Sequence, residues 1–278
     1  MPGRPEGTDG ASVAVLGLGE AGSIYAQDLA AKGLRVTATD PVVGAVPPGV
    51  AVAGDITAAV AGAGLVLSLV GGQAAERVLE EALVAMEAGA IFADLNTAGP
   101  ATKRQLAERA ARKGVLFADV AILAPVPRGR IDSPLLISGT GADALVSLFT
   151  GWGVPATGAG GEAGTAAGLK LLRSVFMKGL AATVLESVTA ADAVGAKDWI
   201  ISQIEAELGP SGQALVARML EGTRQHAVRR EVEMSEARAF LESLGAAHPV
   251  TDATIEWLHS LAHQHRLQDE EQSADSPS

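Results

Sequence analysis

SVAVLGLGEAG, residues 12–22, decides the reading of this chain, because an uncharged apolar segment runs straight into three glycines spaced two and three apart. The first five residues suit a central parallel strand covered on both faces. Residues 23–32 then have helical character, with apolar Ile24, Ala26, Leu29 and Ala30, and Gly33 supplies a stop. Residues 34–39 read as the next strand, which ends at Asp40 and Pro41. A strand, a glycine turn, a helix and a second strand closed by an acid form a βαβ unit of the kind that holds a dinucleotide. Gly17 permits the tight turn, Gly19 lets the backbone approach a pyrophosphate, and Gly22 lets the helix pack against the strand. Leu18, Glu20 and Ala21 complete the loop, whose N–H groups at the helix start face phosphate charge.

Asp40 lies eighteen residues after Gly22, where a carboxylate accepts from the adenosine ribose hydroxyls and repels a 2'-phosphate. NAD is the expected cofactor, and Arg35, upstream in the same strand, leaves NADP possible. A cofactor-free turn, a flavin site or an S-adenosylmethionine site are the competing uses of such a loop; no later segment compels a flavin.

Outward from the loop the alternation continues, with strands at 65–70, 91–95, 115–120 and 135–138 and helices at 74–86, 101–113 and 141–150. Residues 151–164 are rich in glycine and hold no long hydrophobic period. The texture then changes: 165–194 reads as one long helix, followed by helical stretches at 199–208, 212–221, 225–244 and 252–266. The predicted fold is an α/β Rossmann-type N-terminal domain (11–160) followed by an all-α C-terminal domain (161–267). A flexible N-terminal tail (1–10) and a disordered acidic tail (268–278) flank them.

Composition narrows the function classes. The 278 residues, 48% hydrophobic, are enough for one large or two modest cores. With 32 acidic against 21 basic residues and a net charge of -11, a nucleic-acid backbone finds no general attraction. No cysteine is present, which removes disulfides, thiolate metal sites and a cysteine nucleophile. No apolar window is long enough for a membrane span, and residues 1–10 lack the apolar core of a secretion signal, so a cytoplasmic location is expected. His259, His263 and His265 form an H-x-x-x-H-x-H run without a metal-site scaffold, and no metal is expected.

Four further segments stand beside GLGEAG: DLNTAGP at 94–100, FADVAILAPVP at 117–127, GEAGTAAGLKLLRS at 161–174 and RMLEGTRQHAVRREVEM at 218–234. Together they resemble the 3-hydroxyacid dehydrogenase and 6-phosphogluconate dehydrogenase superfamily, in particular its short bacterial members with a specialised helical C-terminal domain. The resemblance implies hydride transfer between a nicotinamide cofactor and a small 3-hydroxy acid or related alcohol. It places Lys170 at the catalytic lysine, and Asn96 and Thr97 beside nicotinamide and substrate. Capping the helix that follows is the alternative role of those two residues. Arg173 and Ser174 stand three and four residues beyond Lys170, where the family commonly has asparagine. The family's Ser-Gly-Gly grip on a substrate carboxylate is replaced by Leu123-Ala124-Pro125, which exchanges donors for apolar surface. His226, Arg230 and Glu233 are spaced to share one helical face, where an arginine fork suits a carboxylate or phosphate and the same spacing suits an intrahelical charge network. Imine reduction, and nonenzymatic NAD(H) sensing on the same scaffold, are the alternative functions. Long apolar helix faces in the second domain point to a homodimer.

Overall fold

A computed structural model of the protein describes residues 11–42 and 45–274, with side chains as far as Gln264. The tail 1–10 and the side chain of His265 lie outside the described residues. Two compact units divide between Lys170 and Leu171.

The first unit runs β1 (Ser12–Leu16), α1 (Glu20–Ala31), β2 (Arg35–Thr39), β3 (Val50–Val52), α2 (Ile56–Val60), β4 (Leu65–Ser68), α3 (Ala75–Ala82), β5 (Ile91–Asp94), α4 (Pro100–Ala111), β6 (Leu116–Ile122), α5 (Val126–Gly129), β7 (Leu135–Ser138), α6 (Ala142–Gly151) and β8 (Ala156–Gly158). Among the described residues eight strands form one sheet in the order β3-β2-β1-β4-β5-β6-β7-β8. Neighbours are parallel except β6 and β7. The unbroken apolarity of β1 follows from its central place. Val13 and Val15 join Tyr25, Leu29 and Phe149 in one apolar cluster, while Ala14 and Leu16 join Val78, Leu79 and Leu106 in another. Alternate side chains thus enter opposite layers, as the period of two requires.

β3 and β8 are three residues each and form the two sheet edges. Neither shows a strand pattern in sequence, because pairing with β2 and β7 creates them. A second feature of the sheet is polar. Ser68, Asp94, Asp119 and Ser138 are partners in register on β4, β5, β6 and β7, and all four are fully buried. Each follows three apolar residues, in the blocks LVLS, IFAD, LFAD and LLIS.

The second unit takes in most of α7 (Thr165–Ala193), with α8 (Lys197–Glu207), α9 (Gly212–Gln225), α10 (Ala227–Ser243) and α11 (Pro249–Ala274). α7 is its central helix. Ala181, Val184 and Val188 pack with Val216 and Met219, Leu171 packs with Met234, Ala237 and Leu258, and Leu185 packs with Ala227 and Leu261. The stretch 218–234, which resemblance presents as one polar helix, is broken at His226, whose φ of -121° and ψ of 27° close α9 and open α10. The break lets Met219 and Met234 enter different clusters. The backbone of α11 reaches Ala274, into the stretch that composition alone marks as disordered, because Gln, Glu and Ala there are good helix formers. No helix among the described residues is long and apolar enough to cross a membrane.

Candidate active site

The carboxyl ends of β1, β2, β4, β5 and β6 share one edge of the sheet. The chain leaves β1 in one direction and returns to β4 on its other side, the arrangement that opens a ligand crevice in α/β sheets. The glycine loop lies there. Gly17 has φ of +94°, donates its N–H to Thr39 O at 2.9 Å, and leaves no room for a side chain, since a Cβ would fall 2.6 Å from Leu69 O. A Cβ on Gly22 would collide with Gly17 O. Gly19 differs: a Cβ there would meet no heavy atom within 4 Å. Nothing in the chain demands a glycine at that position, and the open space beside it is what a backbone approach to pyrophosphate requires.

Asp40 closes the loop from β2. Leu18 N–H donates to its Oδ2 at 2.7 Å and Val42 N–H to its Oδ1 at 2.8 Å, which fixes the carboxylate while each oxygen keeps capacity for a hydroxyl. Arg35 is the first residue of β2, four residues before Thr39, and therefore about 13 Å from the Asp40 end.

These contacts separate two substitutions. Gly19→Ala is expected to unfold at the wild-type midpoint and to bind NAD(H) at least about tenfold more weakly, a loss of about 1.4 kcal/mol. Gly22→Ala is expected to lower the midpoint itself, since its Cβ meets backbone. Thermal unfolding and fluorescence titration of both variants measure the difference. Equal affinity of Gly19→Ala and wild type would show that the open space is not the cofactor's.

Asn96, the first residue expected beside nicotinamide, is buried and committed. Its Oδ1 accepts from Gly71 N–H at 2.8 Å, and its Nδ2 donates to Ser68 Oγ at 2.9 Å and Asp94 Oδ1 at 2.5 Å. It ties the turns after β4 and β5 together. Behind it lies a cluster that sequence reading does not single out. Lys103 Nζ on α4 is 3.0 Å from Asp94 Oδ2, 3.2 Å from Asp119 Oδ1 and 2.9 Å from Asp94 O, all at 1% side-chain exposure or less. Burial alone pushes the Lys103 pKa down, but the charges and hydrogen bonds of both carboxylates outweigh it and hold it above the ordinary lysine value.

Asp119 carries this network to α7. Its Oδ2 accepts from Gly164 and Ala167 N–H groups, each at 3.0 Å, and from Ser138 Oγ at 3.1 Å, while Ser138 Oγ accepts from Ala166 N–H at 3.0 Å. The start of α7 is thereby satisfied from β6 and β7. The signal was present in sequence: Lys103 occupies the buried face of α4 with Pro100, Leu106 and Ala110.

Lys170 stands in the second turn of α7, with Nζ 3.5 Å from Thr97 Oγ1. Thr97 is exposed, and its carbonyl lies against the turn after β4, where a Cβ on Gly72 would be 2.6 Å from it. The residues expected at the cofactor and at the proton thus meet on one edge of the first unit. Leu123 and Ala124, at the end of β6, are half-buried; Leu123 N–H is already given to Pro134 O at 2.9 Å.

Within the second unit, Ser174 and Glu233 meet, with Ser174 Oγ donating to Glu233 Oε1 at 2.5 Å. Lys178, missed in the sequence although it follows Lys170 and Ser174 at four-residue steps, lies 2.7 Å from the same oxygen. Arg230 Nη1 donates to Thr223 Oγ1 at 2.5 Å, Arg173 is exposed, and half-buried His226 occupies the N-cap position of α10 without a side-chain cap hydrogen bond.

Residues 12–133 match the family model described as the NAD binding domain of 6-phosphogluconate dehydrogenase, and residues 191–261 match a domain of unknown function, DUF1932. An uncharacterized 28.5 kDa protein in the 7S RNA 5' region of Methanothermus fervidus is 30% identical over 153 residues, 55% of this chain and 59% of that protein. This chain therefore spans about three-fifths of the length of that curated relative. A conserved hypothetical protein from Sinorhizobium meliloti 1021 is 30% identical, with a TM-score of 0.72 over 89% of this chain and 87% of its own. The conserved protein MTH1747, described as structurally similar to 3-hydroxyacid dehydrogenases, is 25% identical, with a TM-score of 0.73 over 92% of this chain and 98% of its own.

Proposed function

Because the chain belongs to the 3-hydroxyacid dehydrogenase/6-phosphogluconate dehydrogenase superfamily, with a distinct helical C-terminal domain, we propose that it transfers a hydride between NAD and a small 3-hydroxy acid or related alcohol. The observation that carries this reading is the approach of Lys170 to Thr97 on the sheet edge where the dinucleotide loop ends. Held by residues 17–22 and Asp40, a dinucleotide would supply the hydride donor or acceptor for the substrate carbon. Lys170, as the neutral amine, hydrogen-bonds the substrate hydroxyl and takes its proton as the carbonyl forms, and the resulting ammonium passes that proton on to water. Thr97 Oγ1 holds that ammonium in position and orients the substrate. Asn96 acts through the turn it fixes, since both its amide protons are already given to Ser68 and Asp94. Arg230 and His226, in the second unit, are proposed to bind an anionic group, and the second unit is proposed to carry the homodimer contact.

NAD is favoured because Asp40 would repel a 2'-phosphate, Arg35 lies at the far end of β2, and residues 41–50 contain no Lys or Arg. Imine reduction is the second reading. It is favoured by the end of β6, where Leu123 has spent its N–H and Pro125 has none, so an uncharged substrate meets apolar surface there.

Stopped-flow single turnovers with NAD(H) and NADP(H), against 3-hydroxy acids in one direction and cyclic imines in the other, test these readings. The expected result is faster oxidation of a hydroxy acid with NAD. Imine turnover alone would replace the first reading by the second. Tight NAD(H) binding without turnover of either class would make the protein a nucleotide sensor and overturn both.

A further inference from the structure

Lys170 is the last residue of the first unit, and its approach to Thr97 is made within that unit. A lysine side chain has reach but little rigidity, so the 3.5 Å between Nζ and Thr97 Oγ1 depends on where the two backbones stand. Thr97 lies three residues before Pro100, which opens α4. Lys170 lies five residues after Thr165, which opens α7, about 7.5 Å along the helix axis. The two openings touch, since Gly164 has φ of +97° and a Cβ on it would be 2.6 Å from Pro100 O. Lys170 and Thr97 are thus short arms on either side of one junction.

Asp119 stands at that junction with both oxygens engaged. Its Oδ1 lies 3.2 Å from Lys103 Nζ, three residues into α4, and its Oδ2 accepts from Gly164 N–H, Ala167 N–H and Ser138 Oγ within 3.1 Å. Ser138 Oγ extends the tie to Ala166 N–H at 3.0 Å. Two carboxylates, Asp94 and Asp119, share the one lysine, which leaves a negative charge over in a fully buried place. The N–H groups at the positive end of α7 answer it. Hydrogen bonds to a fixed carboxylate define the helix start to within about 0.5 Å, whereas apolar packing has no preferred direction. We propose that Asp119 is the residue that positions Lys170: fixed to α4 through Lys103, it holds the first turn of α7 and so sets the distance from Lys170 to Thr97. Only the use of that lysine for proton transfer rests on the hydride-transfer reading; the anchoring itself does not. A misplacement of about 1 Å is enough to slow a reaction about a hundredfold.

Two variants of the full chain test the proposal. Asp119→Asn keeps the shape but removes the charge, and Ser138→Ala removes only the hydroxyl that joins Asp119 to Ala166 N–H. Single turnovers at saturating substrate are expected to slow by about a hundredfold in the first and about tenfold in the second, with NAD(H) affinity within about twofold of wild type. Leu145→Ala, which empties space in an apolar cluster and takes no part in these hydrogen bonds, is expected to lose stability yet transfer at the wild-type rate. Brief acetylation with acetic anhydride, read by mass spectrometry, follows Lys170 without any substrate. Its labelling is expected to rise severalfold in both variants, while that of exposed Lys197 stays at the wild-type level. Wild-type rates in both folded variants, an equal slowing in Leu145→Ala, or unchanged labelling of Lys170 overturns the positioning role. If Asp119→Asn does not fold, Ser138→Ala decides alone. If wild type turns over neither hydroxy acids nor imines, the hydride-transfer reading fails, and faster labelling of Lys170 in the variants still upholds the anchoring.

Discussion

Lys170→Ala is expected to slow single-turnover hydride transfer by about two to four orders of magnitude while leaving NAD(H) affinity within about twofold of wild type. The two quantities separate because the cofactor's phosphate and ribose contacts are made by residues 17–22 and Asp40, whereas Lys170 meets Thr97. Removing the amine takes away both the partner of the substrate oxygen and the acceptor of its proton. Lys170→Arg sharpens the test, since it keeps the charge but replaces a group that exchanges protons by one that stays protonated. Both variants should therefore be slow, and a fast Lys170→Arg would reduce the residue's role to electrostatic attraction. Near-normal chemistry in Lys170→Ala, in a variant that still unfolds cooperatively, would remove the residue from the mechanism.

Lys103→Met is expected to destabilise the first unit by about 3–5 kcal/mol. The substitution keeps most of the volume but leaves Asp94 and Asp119 facing each other, both fully buried and without a cation between them. The sign of the pH effect follows from the lysine's own shift. A folded-state pKa raised above the ordinary value of 10.5 means that its stabilisation is complete below that pH and fades only as pH rises through the raised value. Measurements at neutral pH thus read the whole effect. Urea unfolding followed by Trp152 in a Trp199→Phe, Trp257→Phe background isolates the first unit. A loss below about 1 kcal/mol, the size of an exposed ion pair, would show that the cluster is solvated in solution.

Much of the first unit is legible in the chain because its signals are local. Residues 12–22 and Asp40 announce a strand, a turn, a helix and an acid in order, and each stands where the pattern requires. The three-residue strands β3 and β8 are not legible, since pairing with a neighbour makes them strands and nothing in their own residues does so. The break between α9 and α10 is legible only in outline: the sequence separates helical stretches at 212–221 and 225–244, whereas α9 runs on to Gln225 and the break falls at His226.

For the site, the family resemblance pointed to Lys170 and Thr97, but the sequence did not show the buried groups packed around them. Lys103 reads as a charge on a polar helix until α4 turns it inward, and Asp94 and Asp119 read as strand-end polar residues until register makes them neighbours. Asn96 shows the converse, since a residue type suited to ligand contact is spent on tying two turns together.

The buried row across β4 to β7 also bears on how the sheet assembles. A strand that pairs one residue out of step turns every side chain to the other face. For β6 such a slip would carry Asp119 into an apolar layer, strip Lys103 of one partner and leave the α7 start uncapped. Apolar strands rich in alanine and valine discriminate poorly between neighbouring alignments. Four polar residues that find partners in one alignment only make the misaligned sheet the costlier state, so the row selects one register of the folded sheet.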